Sequence, residues 1–285
     1  METFNYCDLH FHTYYSPDAF NDPEKVVEVM KQSGCGGFVV ADHNTLDAIP
    51  VFQKLAPIYG LEFIPGVEIN ANHTKYGGVH ILGYGFDPNH KELQAMINRK
   101  RAGGDKSFSL VFDEYHRLAL IPDQEDFMRW ALSLHPKRRV GHKHLSLWLV
   151  QIGKVNTINE GKKYYQKTLD ELRGERHTVA SSTSTTDVVQ LISAAGGVTV
   201  LAHPAKIRGP LEEIIPEFAK LGVSGVEAYT PKNGDLENQE YIATLARNNK
   251  MVVTGGSDYH GITGRTWPSL APFKCFLNLK NLLER

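Results

Sequence analysis

The chain is poor in cysteine, tryptophan and methionine, with three, three and five of them in 285 residues. Cys7, Cys35 and Cys275 are odd in number, far apart and without a C-x-x-C pair, which argues against a disulfide framework and against a thiolate zinc site. A reducing compartment is the expectation. Net charge is also almost absent, because 31 Lys and Arg against 32 Asp and Glu leave −1 at pH 7. With no whole-molecule field to steer a partner, a nucleic-acid or membrane-surface role would have to rest on a local basic patch. No apolar run reaches the roughly 18 residues of a membrane span, and the start METFNYCDLH has neither the basic nor the apolar stretch of a signal peptide. The expectation is a cytoplasmic protein without a membrane partner.

What remains is an ordinary globular composition, 41% hydrophobic and 22% charged, long enough for one large α/β domain. Short apolar runs recur at Phe4 to Thr13, Gly37 to Asp42, Leu61 to Asn70, Val79 to Phe86, Gly197 to His203, Gly222 to Tyr229 and Met251 to Gly256. Segments of helical periodicity separate most of them, which predicts an α/β fold with a mainly parallel sheet. Asp22 and Pro23 start the first helix, Val26, Val27 and Met30 form its apolar stripe, and Gly34 ends it. Another runs from Thr185 or Thr186 to Gly196. Between about 88 and 183 the strand signals stop, and helices are predicted at Lys91 to Arg101, Ser107 to Ala119, Asp123 to Leu134 and His142 to Ile152. The expected organisation is a body of residues 1–88 and 184–285 carrying an inserted helical lid, 89–183.

The abundant functional residue is histidine, thirteen in all. It is the commonest metal ligand and the usual acid or base near neutrality. His10 and His12 alternate on a predicted strand and share a face with Asp8, so two imidazoles can grip one ion. Asp258 and His260 repeat that spacing after the last apolar run. His43, Glu68, His80 and His203 each lie in or after a hydrophobic strand, where a polar side chain is costly without a partner. Asp42 either orients an imidazole or caps a strand end, and Asp8 either supports His10 or His12 or closes a turn. Mixed nitrogen and oxygen donors without sulfur suit manganese, iron or zinc.

These residues fall into pieces in a recognisable order: DLHFHTYYSPD at 8 to 18, ADHNT at 41 to 45, GVEIN at 66 to 70, the strand around His80, LAHP at 201 to 204 and SDYH at 257 to 260. So arranged, the chain resembles the PHP (polymerase and histidinol phosphatase) superfamily of metal-dependent phosphoesterases. GHKHLSLWLVQIGKV at 141 to 155 is similar to the lid helix of its TrpH-like branch. The resemblance implies a distorted (β/α)7 barrel, two or three divalent transition-metal ions and phosphate-ester hydrolysis. It would give one ion to His10, His12, Glu68 and Asp258, a second to His80 and His203 with Glu68 bridging, and a third to Asp18, His43 and His260. Glu68, Asp258 and His203 would be catalytic, a water shared by two ions losing its proton and attacking phosphorus in line. The first motif departs from the family by one residue: His12-Thr13-Tyr14-Tyr15-Ser16-Pro17-Asp18 is longer than the usual H-T-x-x-S-D.

Substrate contacts are expected from two basic clusters. One is Arg99, Lys100 and Arg101; the other is Lys137, Arg138, Arg139, His142, Lys143 and His144, at a helix start that favours anions. Lys206 and Arg208 follow His203 directly. Two arginine positions of the branch's lid motif, G-R-P-H-x-x-R, are His142 and Leu147 in this chain, while His144 keeps the motif histidine. The implied substrate is a small phosphorylated metabolite, such as a nucleoside bisphosphate or a cyclic or sugar phosphate. Alternatives are a 5′ to 3′ exonuclease on short 5′-phosphorylated RNA, a histidinol-phosphate phosphatase and a non-catalytic interaction module.

Overall fold

The computed structural model describes residues 6–134, 139–174 and 183–261, and structural statements refer to these. Lys137, Arg138, His135, His177, Cys275 and the start of the Ser/Thr run therefore lie outside the described residues. Strands β1 (Tyr6–Phe11), β2 (Cys35–Val40) and β3 (Glu62–Ile64) form one parallel sheet in that order. A second sheet holds β4 (Gly66–His73), β5 (Gly77–Tyr84), β6 (Val198–Leu201), β7 (Gly225–Tyr229) and β8 (Val252–Gly255). Its β4–β5 and β5–β6 pairs are antiparallel, and β6–β7 and β7–β8 are parallel.

The mixed α/β class is as expected, but the strands do not close into one continuous (β/α)7 ring among the described residues. Two local features explain this. Pro65, which has no N–H to donate, stands between β3 and β4 and ends the first sheet. The turn from His73 to Gly77 is too short for a parallel crossover, so β5 must run back along β4. Isolated backbone pairings, Phe11 with Tyr259 and His43 with Glu68, join the sheets at both seams. His12 N–H donates to Tyr259 O at 2.9 Å and Asn44 N–H to Glu68 O at 2.9 Å. Candidate metal ligands thus sit where the sheets meet.

Helices α1 (Pro23–Gln32), α2 (Ile49–Tyr59), α7 (Thr185–Ala194), α8 (Leu211–Lys220) and α9 (Leu236–Asn248) accompany the sheets. The Asp22 carboxylate accepts from Glu24 N–H at 3.0 Å and caps α1, while Val26, Val27 and Met30 are buried as their spacing requires. Ser184 caps α7 through Asp187 N–H at 3.1 Å. The main core gathers Phe11, Phe38, Phe52, Ile69, Ile81 and Phe218 among others. Each such side chain contributes roughly 1.5–3 kcal/mol by burial.

Between β5 and α7 lie α3 (Lys91–Arg117), α4 (Gln124–Leu134), α5 (His142–Gln151) and α6 (Ile158–Arg173). They build a separate apolar cluster from Val111, Tyr115, Phe127, Leu145, Leu149 and Leu169. Two expectations need correction. The helices expected at Lys91 to Arg101 and Ser107 to Ala119 are one 27-residue helix that runs through Gly103 and Gly104. It tolerates the glycines because its first half buries Leu93, Met96 and Ile97 in the main core and its second half Val111 and Tyr115 in the other cluster. Helix α6 was not anticipated, because its apolar positions are sparse along a mostly polar surface. Among the described residues, no helix is long and apolar enough to cross a membrane.

Candidate metal centre

His10 on β1 and His12, one residue past its end, keep the two-residue alternation that brings their rings together, and the loop after β8 brings Asp258 against them. His10 Nε2 lies 3.1 Å from His12 Nε2, 3.3 Å from Glu68 Oε2 and 3.7 Å from Asp258 Oδ1. His12 Nε2 lies 3.3 Å from each of those oxygens. Metal–ligand bonds of about 2.1 Å would separate ligand atoms by roughly 3.0 Å in an octahedron and roughly 3.4 Å in a tetrahedron. The spacing therefore fits an ion without rearrangement.

Glu68, buried on β4, divides its oxygens between two groups of imidazoles. Oε2 faces His10, His12 and His43, the last at 3.0 Å, whereas Oε1 faces His80 Nδ1 at 2.8 Å and His203 Nε2 at 3.1 Å. Asp18 Oδ2 lies 3.2 Å from His260 Nε2 and 3.8 Å from His43 Nε2. The extra residue of the first motif is taken up by a turn closed by Ser16 N–H on Thr13 O at 3.0 Å, so Asp18 still arrives beside these histidines. All nine expected ligands thus converge on one place. Three sets of ligand atoms are close enough to share an ion: His12, His43 and His260; His10, His12 and Asp258; His43, Glu68 and His80.

Buried polar atoms here lack the partners that burial normally demands. Glu68 Oε2, His12 Nδ1, His43 Nδ1 and His203 Nδ1 have no hydrogen bond of adequate geometry. Burial opposes charge on Glu68, yet the imidazoles of His43, His80 and His10 outweigh it and hold its carboxyl well below the usual range. His12 is likewise opposed by burial but pushed up to about 9 by Asp258 and Glu68, while burial drives His43 down to about 3. Unpartnered acceptors, a shared carboxylate and no thiolate are the donor set of a hard or borderline cation.

The backbone is also bent to the purpose. His203 and Asp258 have positive φ, 29° and 48°, a region costly for residues with side chains. Gly256 is needed for close approach, since a β-carbon there would stand 2.4 Å from His10 Cβ. Asp8 and Asp42, left open between two roles, both act on backbone. Asp8 Oδ1 accepts from His10 N–H at 3.1 Å and Ser257 N–H at 3.0 Å. Asp42 accepts from Thr13 N–H and Oγ1, both at 2.6 Å, and closes the turn before Asp18.

The cluster opens into a cleft of about 620 Å³ whose lining includes Lys143, Lys162, Lys206 and Lys232. Lys206 is therefore where a phosphate contact was expected, whereas Lys162 and Lys232 were not foreseen. Lys232 Nζ lies 3.0 Å from Asp258 Oδ2. Arg101, Arg139 and His142 instead line a smaller neighbouring cleft with Lys100, next to His43. Arg101 pairs with Asp47 at 2.6 Å and Arg139 with Asp105, so each arginine at the cleft wall has a carboxylate beside it. Lys143 is buried and donates to Asp18 O. His144 corrects the expectation: it is wholly buried, lines neither cleft, and accepts Gly141 N–H at 3.0 Å as a cap for α5. Another residue missed by sequence reasoning is Glu227 on β7, whose Oε1 lies 2.8 Å from His10 Nδ1. A glutamate inside GVEAY repeats the GVEIN pattern of Glu68, and its burial cost was the signal.

Comparison with known proteins places nearly the whole chain. Over 260 residues the chain is 28% identical to a 5′-3′ exoribonuclease of Haemophilus influenzae, covering 89% of each. It is 25% identical over 257 residues to a 3′,5′-nucleoside bisphosphate phosphatase of Chromobacterium violaceum, covering 89% of this chain and 86% of that one. A solved structure from Bifidobacterium adolescentis, described as a metal-dependent phosphoesterase, superposes with a TM-score of 0.72 at 26% identity, covering 92% of this chain and 90% of that one. With the PHP domain pattern matching residues 8–221, the chain belongs to the PHP domain family.

Proposed function

We propose that the chain hydrolyses a phosphate ester of a small phosphorylated metabolite, a nucleoside bisphosphate or a cyclic or sugar phosphate, at the cluster around Glu68. It is a PHP-family hydrolase of phosphoric esters. One observation carries the reading: Glu68 turns each oxygen to a different set of imidazoles at the floor of a lysine-lined cleft. His10, His12, Glu68 and Asp258 would hold one ion, His80 and His203 with Glu68 a second, and Asp18, His43 and His260 a third. Manganese, iron or zinc there would acidify a water to near neutrality and offset charge on the phosphoryl oxygens.

Glu68, Asp258 and His203 would be the catalytic side chains, since all three line the large cleft where a phosphate ester would enter. Lys206, Lys162 and Lys232 would bind and orient phosphoryl oxygens from the cleft walls. Lys143 holds the Asp18 loop, and so acts on the centre through that backbone. The smaller cleft, with Lys100, Arg101, Arg139 and His142, would take the substrate's remote part. Residues 89–183 would act as an inserted lid over the two-sheet body of 1–88 and 184–285.

A manganese-supplemented phosphate-release screen over bisphosphates, cyclic phosphates, sugar phosphates and 5′-phosphorylated RNA tests this. Turnover of a small ester that a chelator abolishes is expected, and chelator-resistant turnover would overturn it. The lysine lining and the exoribonuclease relative favour one second reading, 5′-end trimming of RNA. That reading requires affinity to fall steeply with salt.

A further inference from the structure

The Glu227 carboxylate is wholly buried and touches two candidate ligands at once. Oε1 lies 2.8 Å from His10 Nδ1, and Oε2 accepts the His203 backbone N–H at 2.9 Å. The two imidazoles lie near each other, 6.0 Å between centroids and 26° between planes. His203 holds φ at 29°, so the bond to its N–H restrains a backbone that would otherwise relax. Strand β7 fixes Glu227 in turn. Asn233 Nδ2 donates to Glu227 O at 2.8 Å, and Asn233 Oδ1 accepts from Ala205 N–H at 3.1 Å.

We propose that Glu227 is a positioning residue that sets two metal-binding imidazoles together. Its carboxylate keeps the His10 proton on Nδ1, leaving Nε2 for an ion, and it holds the His203 backbone so that Nε2 of that ring meets Glu68. An imidazole can bind through either nitrogen, and the partner of the other nitrogen decides which. A carboxylate is required because both contacts need an acceptor. Glutamine would offer one oxygen and turn an N–H₂ toward a second donor. Neither Asp8 nor Asp42 does this work, since both accept from backbone N–H groups or from Thr13.

This inference rests on the metal-centre reading, and the test separates the two. Zinc binding is measured by calorimetry and metal analysis on wild-type protein and Glu227→Gln, with circular dichroism as a check of fold. A fall in zinc affinity of about 10- to 100-fold in a folded variant is expected. In parallel, zinc-loaded wild-type protein labelled with ¹⁵N-histidine reports the His10 ring directly. The proton is expected on Nδ1 and zinc on Nε2, a result that a merely structural Glu227 would not dictate. Wild-type zinc affinity in the variant, or zinc on His10 Nδ1, overturns the Glu227 assignment alone. Absence of zinc binding by wild-type protein overturns the metal-centre reading and this inference with it. Should the variant not fold, the ring measurement decides.

Discussion

Glu68 Oε2 and His43 Nδ1 lie 3.0 Å apart, yet neither has a hydrogen bond of adequate geometry. Two buried polar atoms at that distance are held in place by the elements that carry them, the loop after β2 and strand β4. They are arranged for a third body to satisfy both. Glu68→Gln removes the negative charge and one strong donor to metal while keeping the volume. Turnover is expected to fall at least about 100-fold and bound metal to drop, with far-UV circular dichroism unchanged. Phosphate release and elemental analysis of the same sample check this.

Metal uptake should release protons, and the sign follows from the separate imidazoles. His12 is pushed up to about 9 and is charged at neutral pH in metal-free protein, so an ion must displace its proton. His43, driven down to about 3, is already neutral and releases none. Apparent affinity is therefore expected to rise from neutrality, by up to about tenfold per pH unit for each displaced proton, and to flatten above about pH 9. Calorimetry in buffers of different ionisation heat counts the protons.

Gly256→Ala tests how closely the loop after β8 must approach β1. Its new β-carbon would stand 2.4 Å from His10 Cβ and 2.5 Å from His10 N, both held by backbone rather than by a movable side-chain tip. A loss of about 1–3 kcal/mol in unfolding free energy is expected, as for other overpacked sites. The denaturation midpoint should fall, and metal affinity with it, because His10 must shift.

Lys100 carries the clearest electrostatic signature of the smaller cleft. Its ammonium is pushed down by burial and has no carboxylate partner among the described residues, whereas Arg101 and Arg139 beside it are paired. Lys100→Ala should raise KM about tenfold or more for a substrate with a second phosphate, since a charged hydrogen bond is worth about 1.5–3 kcal/mol. A monophosphate should be affected much less. Steady-state kinetics on a matched bisphosphate and monophosphate pair make the comparison.

Most of the proposed ligands were readable because they place an expensive polar group in or just after an otherwise apolar strand, whereas Asp18, in the loop after β1, was legible only through the family resemblance. The same cost was present at Glu227, but its main partner, His10, is 217 positions away and only the pairing of strands reveals the contact. The two-sheet arrangement was unreadable for the same reason: periodicity identifies strands but does not say which edges meet. His144 was misjudged because a basic neighbourhood in sequence says nothing of burial, and α5 folds that ring inward against the Gly141 backbone. Arg101 and Arg139 are indeed near the centre, but acidic neighbours brought in by the fold, Asp47 and Asp105, occupy them.

Helix α3 has a foot in each of two apolar clusters, and that makes it a bridge. The rod of 27 residues is anchored at Met96 in one cluster and at Tyr115 in the other, so its middle spans the two. Its weak point is Gly103–Gly104, where each residue costs roughly 1 kcal/mol of helix propensity relative to alanine and an added β-carbon would meet nothing within 4 Å. Lys100 and Arg101 lie just before that point, Asp105 and Ser107 just after it, and all four line the cleft beside His43. Any flexing of the rod at the two glycines would change the width of that cleft, so the stiffness of a surface helix is coupled to the space available for substrate.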